Sequence, residues 1–80
     1  MDIEKIVIES CQEVIREKNK DIQVDANTKI SRDSGIDSLG IVSLVILLEE
    51  KLNIDLDDYL VEIRECEDVQ GLIDVISKID

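Results

Sequence analysis

The residues best placed to do chemistry lie in the stretch S-G-I-D-S-L-G, residues 34–40, where Ser38 stands between Asp37 and a leucine. The stretch is similar to the G-x-S-x-G turn that presents a catalytic serine, but its first glycine lies one residue too far from Ser38. A serine nucleophile also needs a general base, and the chain contains no histidine. The next basic residue, Lys51, lies far along the chain. The residues therefore argue against hydrolase chemistry within this chain.

Other kinds of site find little support. Neither phosphate-loop pattern, G-x-x-x-x-G-K or G-x-G-x-x-G, occurs, and twelve positions counted from Asp33 place no acid at the last ligand position of an EF-hand. Cys11 and Cys66 match no zinc spacing, which favours free buried thiols in a reducing compartment. We predict no metal site, with any metal binding by the acidic second half diffuse. The simplest alternative is that Asp37 and Ser38 only begin a helix.

The charge of the chain limits its partners. The net charge is −11, and residues 41–80 carry 11 acids and 3 bases. Such a field repels nucleic acid and anionic membrane and favours basic partner surfaces, although it could serve solubility alone. The N-terminus, M-D-I-E-K, has acids where a signal peptide has bases, and the longest apolar run is residues 44–48. These features predict a cytoplasmic protein without a membrane span.

The elements that must position Ser38 are predicted to be helices. Apolar residues recur at helical spacing in four segments, with Asp2 near the start of the first, Asp37 as N-cap of the second and Asp68 as cap of the last. The connection 19–37 is predicted to be a long loop anchored in the core by Ile22, Val24, Ile30 and Ile36. The prediction is one all-α domain, residues 1–80, a small four-helix bundle with three longer helices and a short third one: 2–18, 38–52, 56–66 and 69–79.

The helix predicted for residues 38–52 is apolar on more than one face. One stripe follows the 3.6-residue period and is expected in the core: Ile41, Leu44, Val45, Leu48 and Leu52. A second set, Leu39, Val42 and Ile46, lies along another side. Because a domain of eighty residues has difficulty burying every side of a helix, we expect the second set to dock a partner beside Ser38.

The stretch D-S-G-I-D-S-L-G, residues 33–40, resembles the D-x-G-x-D-S-L signature of acyl and peptidyl carrier proteins. The resemblance extends over the whole chain. It includes the acidic opening helix, the long loop, L-V-I-L-L-E-E-K-L-N-I at 44–54 and D-V-Q-G-L-I-D-V-I at 68–76. It implies a stand-alone acyl carrier protein that serves fatty-acid, polyketide or related specialised biosynthesis, with no catalytic residues and no enzyme activity of its own.

The resemblance also implies roles for individual residues. Ser38 would be a modification site, to which a phosphopantetheinyl transferase, using Mg²⁺ and coenzyme A, attaches 4′-phosphopantetheine. The thiol of that group would carry acyl groups as thioesters between enzymes. Asp37 would position Ser38 and help to dock the transferase, and the set Leu39, Val42 and Ile46 would contact partners. The chain would be a monomer. Five acids would meet basic docking patches on acyl-loading and acyl-transfer enzymes: Glu49, Glu50, Asp55, Asp57 and Asp58.

The chain departs from the pattern in two places. Fatty-acid carriers commonly have acids in the first turns after D-S-L, where this chain has Gly40 and Ser43, and the connection from Tyr59 to Glu67 is slightly longer than usual. An aminoacyl or peptidyl carrier is therefore kept as an alternative cargo class. A non-carrier acidic helical adaptor is kept as an alternative of a different kind.

Overall fold

The computed structural model describes residues 2–18, 22–31 and 35–79, and over these ranges the chain is helical apart from its connections. The helices run in the order α1 (Ile3–Glu17), α2 (Ser38–Leu52), a 3₁₀ turn (Asp57–Tyr59), α3 (Leu60–Arg64) and α4 (Val69–Ile79). Within these ranges the only β-type pairing is an isolated antiparallel bridge between Lys29 and Asp68. The predicted all-α bundle with a short third helix is confirmed. None of the described helices combines the length and apolar character needed to cross a membrane.

Helix α1 forms where the sequence predicts it, with Asp2 as its N-cap. The Asp2 carboxylate accepts a hydrogen bond from the Lys5 amide at 3.1 Å, which satisfies one of the free amides of the first turn. The buried face carries Val7, Ser10, Cys11, Val14 and Ile15. Ser10 is the one buried polar residue of the described core, and its hydroxyl donates to the Ile6 carbonyl at 2.8 Å.

Helix α2 packs its predicted core stripe against α1. Four stripe residues are buried and Ile41 is half-buried; the buried ones are Leu44, Val45, Leu48 and Leu52. The two helices approach closely near Gly40, where an added Cβ would lie 3.3 Å from Val14 Cγ1. In the last turn of α2, Lys51 Nζ lies 3.3 Å from Glu13 Oε1. Glycine at position 40 therefore lets the start of α2 lie against α1.

The third helical segment differs from the prediction. A single helix over 56–66 was expected, but α3 covers only Leu60–Arg64 and follows a separate 3₁₀ turn. Before it, side chains bind the amides that would start a longer helix: Leu56 N–H donates to Glu49 Oε2 and Asp57 N–H to Asp55 Oδ1, both at 2.9 Å. After it, the Glu67 carbonyl accepts from the Ile30 amide at 2.9 Å, so the chain leaves the helix to pair with the loop.

The long connection before α2 is anchored as predicted in its described parts. Val24 and Ile36 are buried, and Ile22 and Ile30 are half-buried against the core. The Gln12 carboxamide joins the connection to α1, since Nε2 donates to the Ile22 carbonyl at 2.8 Å and Oε1 accepts from the Val24 amide at 3.1 Å. The predicted loop also includes residues 19–21 and 32–34, which lie outside the described residues.

Helix α4 closes the bundle against α1 and α3. Asp68 caps it as predicted, because Asp68 Oδ1 accepts from the Gly71 amide at 2.9 Å. The amides of Val69 and Gln70 donate to loop carbonyls, those of Thr28 and Ala26. Its predicted inner face is confirmed, with Ile79 half-buried and the others buried: Val69, Leu72, Ile73 and Ile76.

Both cysteines are free thiols, but their surroundings differ. Cys11 lies in the core, and burial raises the pKa of its thiol to about 12. Cys66 is only half-buried, so the prediction of a buried thiol is wrong there. Burial first, and then the charges of nearby acids beginning with Asp68, raise the pKa of the Cys66 thiol. Neither thiol is activated by its environment.

Two leucines of α2 provide a matched test of this packing. Leu48 is fully buried, whereas Leu39 is 71% exposed. We expect Leu48→Ala to lower the free energy of unfolding by about 2–5 kcal/mol, because it removes buried methyl groups and leaves a cavity. The control, Leu39→Ala, should change it by less than about 0.5 kcal/mol. Urea unfolding followed by circular dichroism measures both values, and equal losses would contradict the orientation of α2.

Candidate functional site

The site begins at Asp37, which fixes the start of α2. Asp37 has an extended backbone, with φ −87° and ψ −169°, and its Oδ1 accepts a hydrogen bond from the Gly40 amide at 2.8 Å. Its main-chain carbonyl accepts from the Ile41 amide at 2.9 Å. Ser38 is consequently the first residue of α2, and it is exposed. The sequence-based assignment of Asp37 as N-cap is confirmed, and the cap presents the serine to solvent.

A salt bridge joins the cap to the end of α1. Lys18 Nζ lies 3.9 Å from Asp37 Oδ2, and both side chains are partly exposed. Exposed pairs of this kind contribute little to stability, typically 0 to about 1 kcal/mol. The pair nevertheless holds a cation beside the first turn of α2, and sequence reasoning had not connected Lys18 with Ser38.

The second apolar set of α2 is exposed beside Ser38. Leu39, Val42 and Ile46 show 71%, 57% and 50% of their surface to solvent. They recur at a spacing of three to four residues, so they form one stripe along the helix. The structure thus confirms that these residues do not belong to the core. An exposed aliphatic stripe of this kind is typical of a surface that contacts other molecules.

A groove of about 890 Å³ adjoins Ser38 and runs between α2 and the 3₁₀–α3 segment. Most of its walls are aliphatic, and Leu60 contributes from α3. The groove brings together seven of the predicted site residues: Asp37, Ser38, Leu39, Val42, Ile46, Glu49 and Asp57. The three other predicted residues, Glu50, Asp55 and Asp58, are exposed and do not line it.

Acidic side chains cluster at the end of α2 and the 3₁₀ turn. One carboxylate oxygen from each of Glu49, Asp55 and Asp57 lies within 4.8 Å of the others. The negative charges of Asp55 and then Glu49 raise the pKa of the exposed Asp57 carboxyl, with smaller effects of desolvation and of Asp58. Such a spacing could accommodate a cation. The sequence predicted only a diffuse acidic surface. The cluster forms because the fold of the connection brings Asp55 and Asp57 back to Glu49.

Two further residues of the groove were not singled out from the sequence. Arg64 at the end of α3 and the half-buried Cys66 both line it. One signal in the sequence could have indicated Arg64, since it is the only basic residue between Lys51 and Lys78. Its relation to Ser38 depends on how the third helix packs, which the sequence pattern did not show.

The chain was compared with known proteins. The family model described as "Phosphopantetheine attachment site" matches residues 5–76, from α1 through α4. The chain belongs to this family. It is 35% identical to the acyl carrier protein of Campylobacter lari, covering 96% of this chain and 94% of the relative. It is 36% identical to the acyl carrier protein of Helicobacter pylori, with 92% and 91% covered. No solved structure gave a significant match.

Membership of the phosphopantetheine attachment family makes this protein a carrier and not a catalyst. Such a carrier holds a covalent 4′-phosphopantetheine and interacts with a transferase and with acyl-handling enzymes. The described residues fit that group. Its phosphate is esterified to a serine hydroxyl, and Ser38 is exposed at a helix start where backbone amides favour an anion. The groove beside Ser38 offers aliphatic walls to the chain that follows the phosphate.

The acidic cluster predicts how stability depends on pH and salt. Because the pKa of Asp57 is raised in the folded state, the native chain binds more protons than the unfolded chain above the ordinary value of 3.8, and stability falls as pH rises through that window. We expect Asp57→Asn to raise the melting temperature at pH 7 and low salt. The gain should shrink in 0.5 M salt, where the Debye length falls to roughly 4 Å, and below the unfolded pKa.

The control for this experiment is Glu9→Gln. Glu9 is exposed on α1, outside the cluster, and its substitution removes the same charge. Thermal melts of the two variants and the wild type at two pH values and two salt concentrations separate a local effect from net charge. Equal gains for the two variants would contradict a repulsion centred on the cluster.

Proposed function

We propose that Ser38 is the attachment residue for 4′-phosphopantetheine and that the protein carries acyl groups between biosynthetic enzymes. The observation that carries this proposal is the exposure of Ser38 at the first position of α2, behind the Asp37 cap and beside an aliphatic groove. The match of residues 5–76 to the attachment-site family supports it. When attached, the group supplies a terminal thiol that bears acyl cargo as a thioester.

Ser38 contributes only its oxygen to the attachment. Its Oγ becomes the ester oxygen of a phosphodiester as the pyrophosphate linkage of coenzyme A breaks and adenosine 3′,5′-bisphosphate leaves, and the serine proton must pass to a base of the transferase. The chain has no histidine, and the described groove contains one cation, Arg64, whose guanidinium does not act as a base. The task of this chain is therefore to hold the hydroxyl where a partner enzyme can reach it.

Partner recognition is proposed to combine the apolar stripe with acids around it. Leu39, Val42 and Ile46 would provide the buried centre of the contact, and Asp37 would orient the serine. Five acids would attract basic patches on partner enzymes and mainly set the encounter rate: Glu49, Glu50, Asp55, Asp57 and Asp58. The same charge disfavours nucleic acid as a partner. We also propose that the carrier is a monomer.

We propose further that residues 1–80 act as one carrier domain. All four α-helices contribute to one core of aliphatic residues, with anchors from the connection 22–36. The acyl carrier proteins of Campylobacter lari and Wolinella succinogenes are matched over 94% and 90% of their own lengths.

An aminoacyl or peptidyl cargo is the second candidate. The first turn of α2 contains no acid. Gly40 and Ser43 occupy positions in the first turns where fatty-acid carriers commonly have acids. The negative charge that α2 presents to partner enzymes is therefore concentrated at its far end, around Glu49. This arrangement favours partner enzymes whose docking surface is apolar near Ser38 and basic farther along the helix.

Ser38→Ala tests the attachment residue directly. The apo protein is incubated with a promiscuous phosphopantetheinyl transferase, Mg²⁺ and coenzyme A, and intact-protein mass spectrometry follows the product. We expect one phosphopantetheine on the wild type and none on Ser38→Ala, because the accepting oxygen is lost. Ser43→Ala, on the same helix, is the matched control and should be modified like the wild type. A wild-type chain left unmodified by several such transferases would sink the carrier proposal.

Cargo class is decided in a second step with the modified protein. Loading by acyl transferases and loading by amino-acid-activating enzymes are compared by mass spectrometry of the product. Acyl loading alone supports the first candidate, and aminoacyl loading alone supports the second. If the modified chain accepted neither class of cargo but bound a protein through α2, the adaptor alternative would be favoured.

Val42→Ser tests the role of the apolar stripe. Truncating a central contact residue commonly costs about 1 kcal/mol or more, so we expect roughly a fivefold or larger fall in the rate of modification at limiting transferase. The control is Val61→Ser on α3, because Val61 is 68% exposed and Val42 57%. Melting temperatures check that both variants fold. An equal loss of rate in the two variants would place the contact elsewhere.

A further inference from the structure

We propose that Arg64 forms an ion pair with the phosphodiester on Ser38 and thereby directs the prosthetic group along the groove. This inference rests on the proposed attachment at Ser38. Arg64 would be a positioning residue for the group, with no part in the chemistry of its attachment.

Arg64 is the one cation among the described residues that line the groove. The ionisable groove residues besides it and Cys66 are the acids Asp37, Glu49 and Asp57. Other cations near α2 already have acidic partners, since Lys18 lies near Asp37 and Lys51 near Glu13. Among the described residues, Arg64 takes part in neither of these two salt bridges. Its guanidinium therefore offers the groove a positive charge that no described acid neutralises by direct contact.

The fold brings Arg64 and Ser38 to the same groove. Arg64 is the last residue of α3, and three residues later the Glu67 carbonyl accepts from the Ile30 amide at 2.9 Å. The same connection leads to α2 through the Ile36 amide, which donates to the Ser31 carbonyl at 3.0 Å. Ile30 and Ile36 line the groove with Arg64 and Ser38.

Of the three groove acids, Asp37 adjoins Ser38, whereas Glu49 and Asp57 lie at the other end of α2. The Leu56 amide donates to Glu49 Oε2, which holds the start of the 3₁₀ turn beside the fourth turn of α2. Glu49 lies about three turns along α2 from Ser38, and the Asp57 carboxylate lies close to that of Glu49. These two acids are therefore remote from the attachment residue.

A phosphodiester on Ser38 would introduce a charge repulsion that a cation in the groove offsets. It adds a negative charge to a chain that already carries −11, directly beside the Asp37 carboxylate. The Gly40 amide at the helix start is already bound to Asp37, so that amide is not available to the phosphate. A guanidinium binds phosphate oxygens in a planar, two-point arrangement and keeps its charge at every working pH. Arg64 would offset the repulsion and draw the group toward α3.

The experiment compares apo and phosphopantetheine-bearing forms of the wild type, Arg64→Gln and Arg64→Lys. Mass spectrometry first establishes the attachment in each. We expect two signals to detect the contact between Arg64 and the phosphodiester. They are the ³¹P resonance of the phosphodiester and the Nε–H resonance of Arg64 in the wild type. Arg64→Gln should shift the ³¹P resonance and lower the melting temperature of the modified form relative to its own apo form by about 1–4 °C. Arg64→Lys should retain part of the effect.

Arg16→Gln is the control, because Arg16 is exposed on α1 and its loss changes net charge equally. It should leave the ³¹P resonance and the difference between the two forms unchanged. Raising the salt concentration should remove the wild-type effect through screening. If the modified forms of Arg64→Gln and Arg16→Gln behave alike, the proposed role of Arg64 is overturned and the attachment proposal is not. A wild type that cannot be modified overturns the attachment proposal, and this inference with it.

Discussion

The hydrogen bond from the Gly40 amide to Asp37 Oδ1 fixes where α2 begins, and the rest of the site depends on that position. An N-cap of this type contributes about 0.5–2 kcal/mol, which is modest compared with the core, but its geometric effect is larger. Because the helix starts at Ser38, the serine is held at an end of a rigid element and not within a mobile loop. Partner enzymes therefore meet the hydroxyl in a defined position, with the apolar stripe in a fixed register behind it.

Helix α2 serves the core and the surface with residues that alternate along the same fifteen positions. Leu44 and Leu48 are fully buried, whereas Val42 and Ile46 are at least half exposed. A helix turns by about 100° per residue, so a shift of one position would rotate the core stripe away from α1. The contact between α1 and α2 limits such a shift, since Gly40 allows the first turn of α2 to lie close to Val14. The packing that stabilises the bundle thus also orients its docking surface.

The sequence was sufficient to predict the longer helices because each has a capping acid and a sustained apolar period. Asp2, Asp37 and Asp68 begin α1, α2 and α4 as expected. The third helix was predicted too long, because the helical period shows neither the tertiary contact of Glu49 with the Leu56 amide nor the local contact of Asp55 with the Asp57 amide. For the same reason the sequence did not show that Asp57 returns to Glu49 or that Arg64 lies in the groove. Contacts across the connection between α2 and α4 are not encoded in a local period.

The thiols of the chain have a consequence for selectivity. Nucleophilic sulfur reacts as thiolate, and the raised pKa of Cys11, about 12, leaves almost none of that form at neutral pH. Cys66 is also disfavoured as a thiolate by burial and by surrounding acids. A flexible thiol at the end of the prosthetic group has neither handicap. The fold thereby leaves the cargo-bearing sulfur with little competition from its own cysteines, for thioester exchange and for alkylating reagents alike.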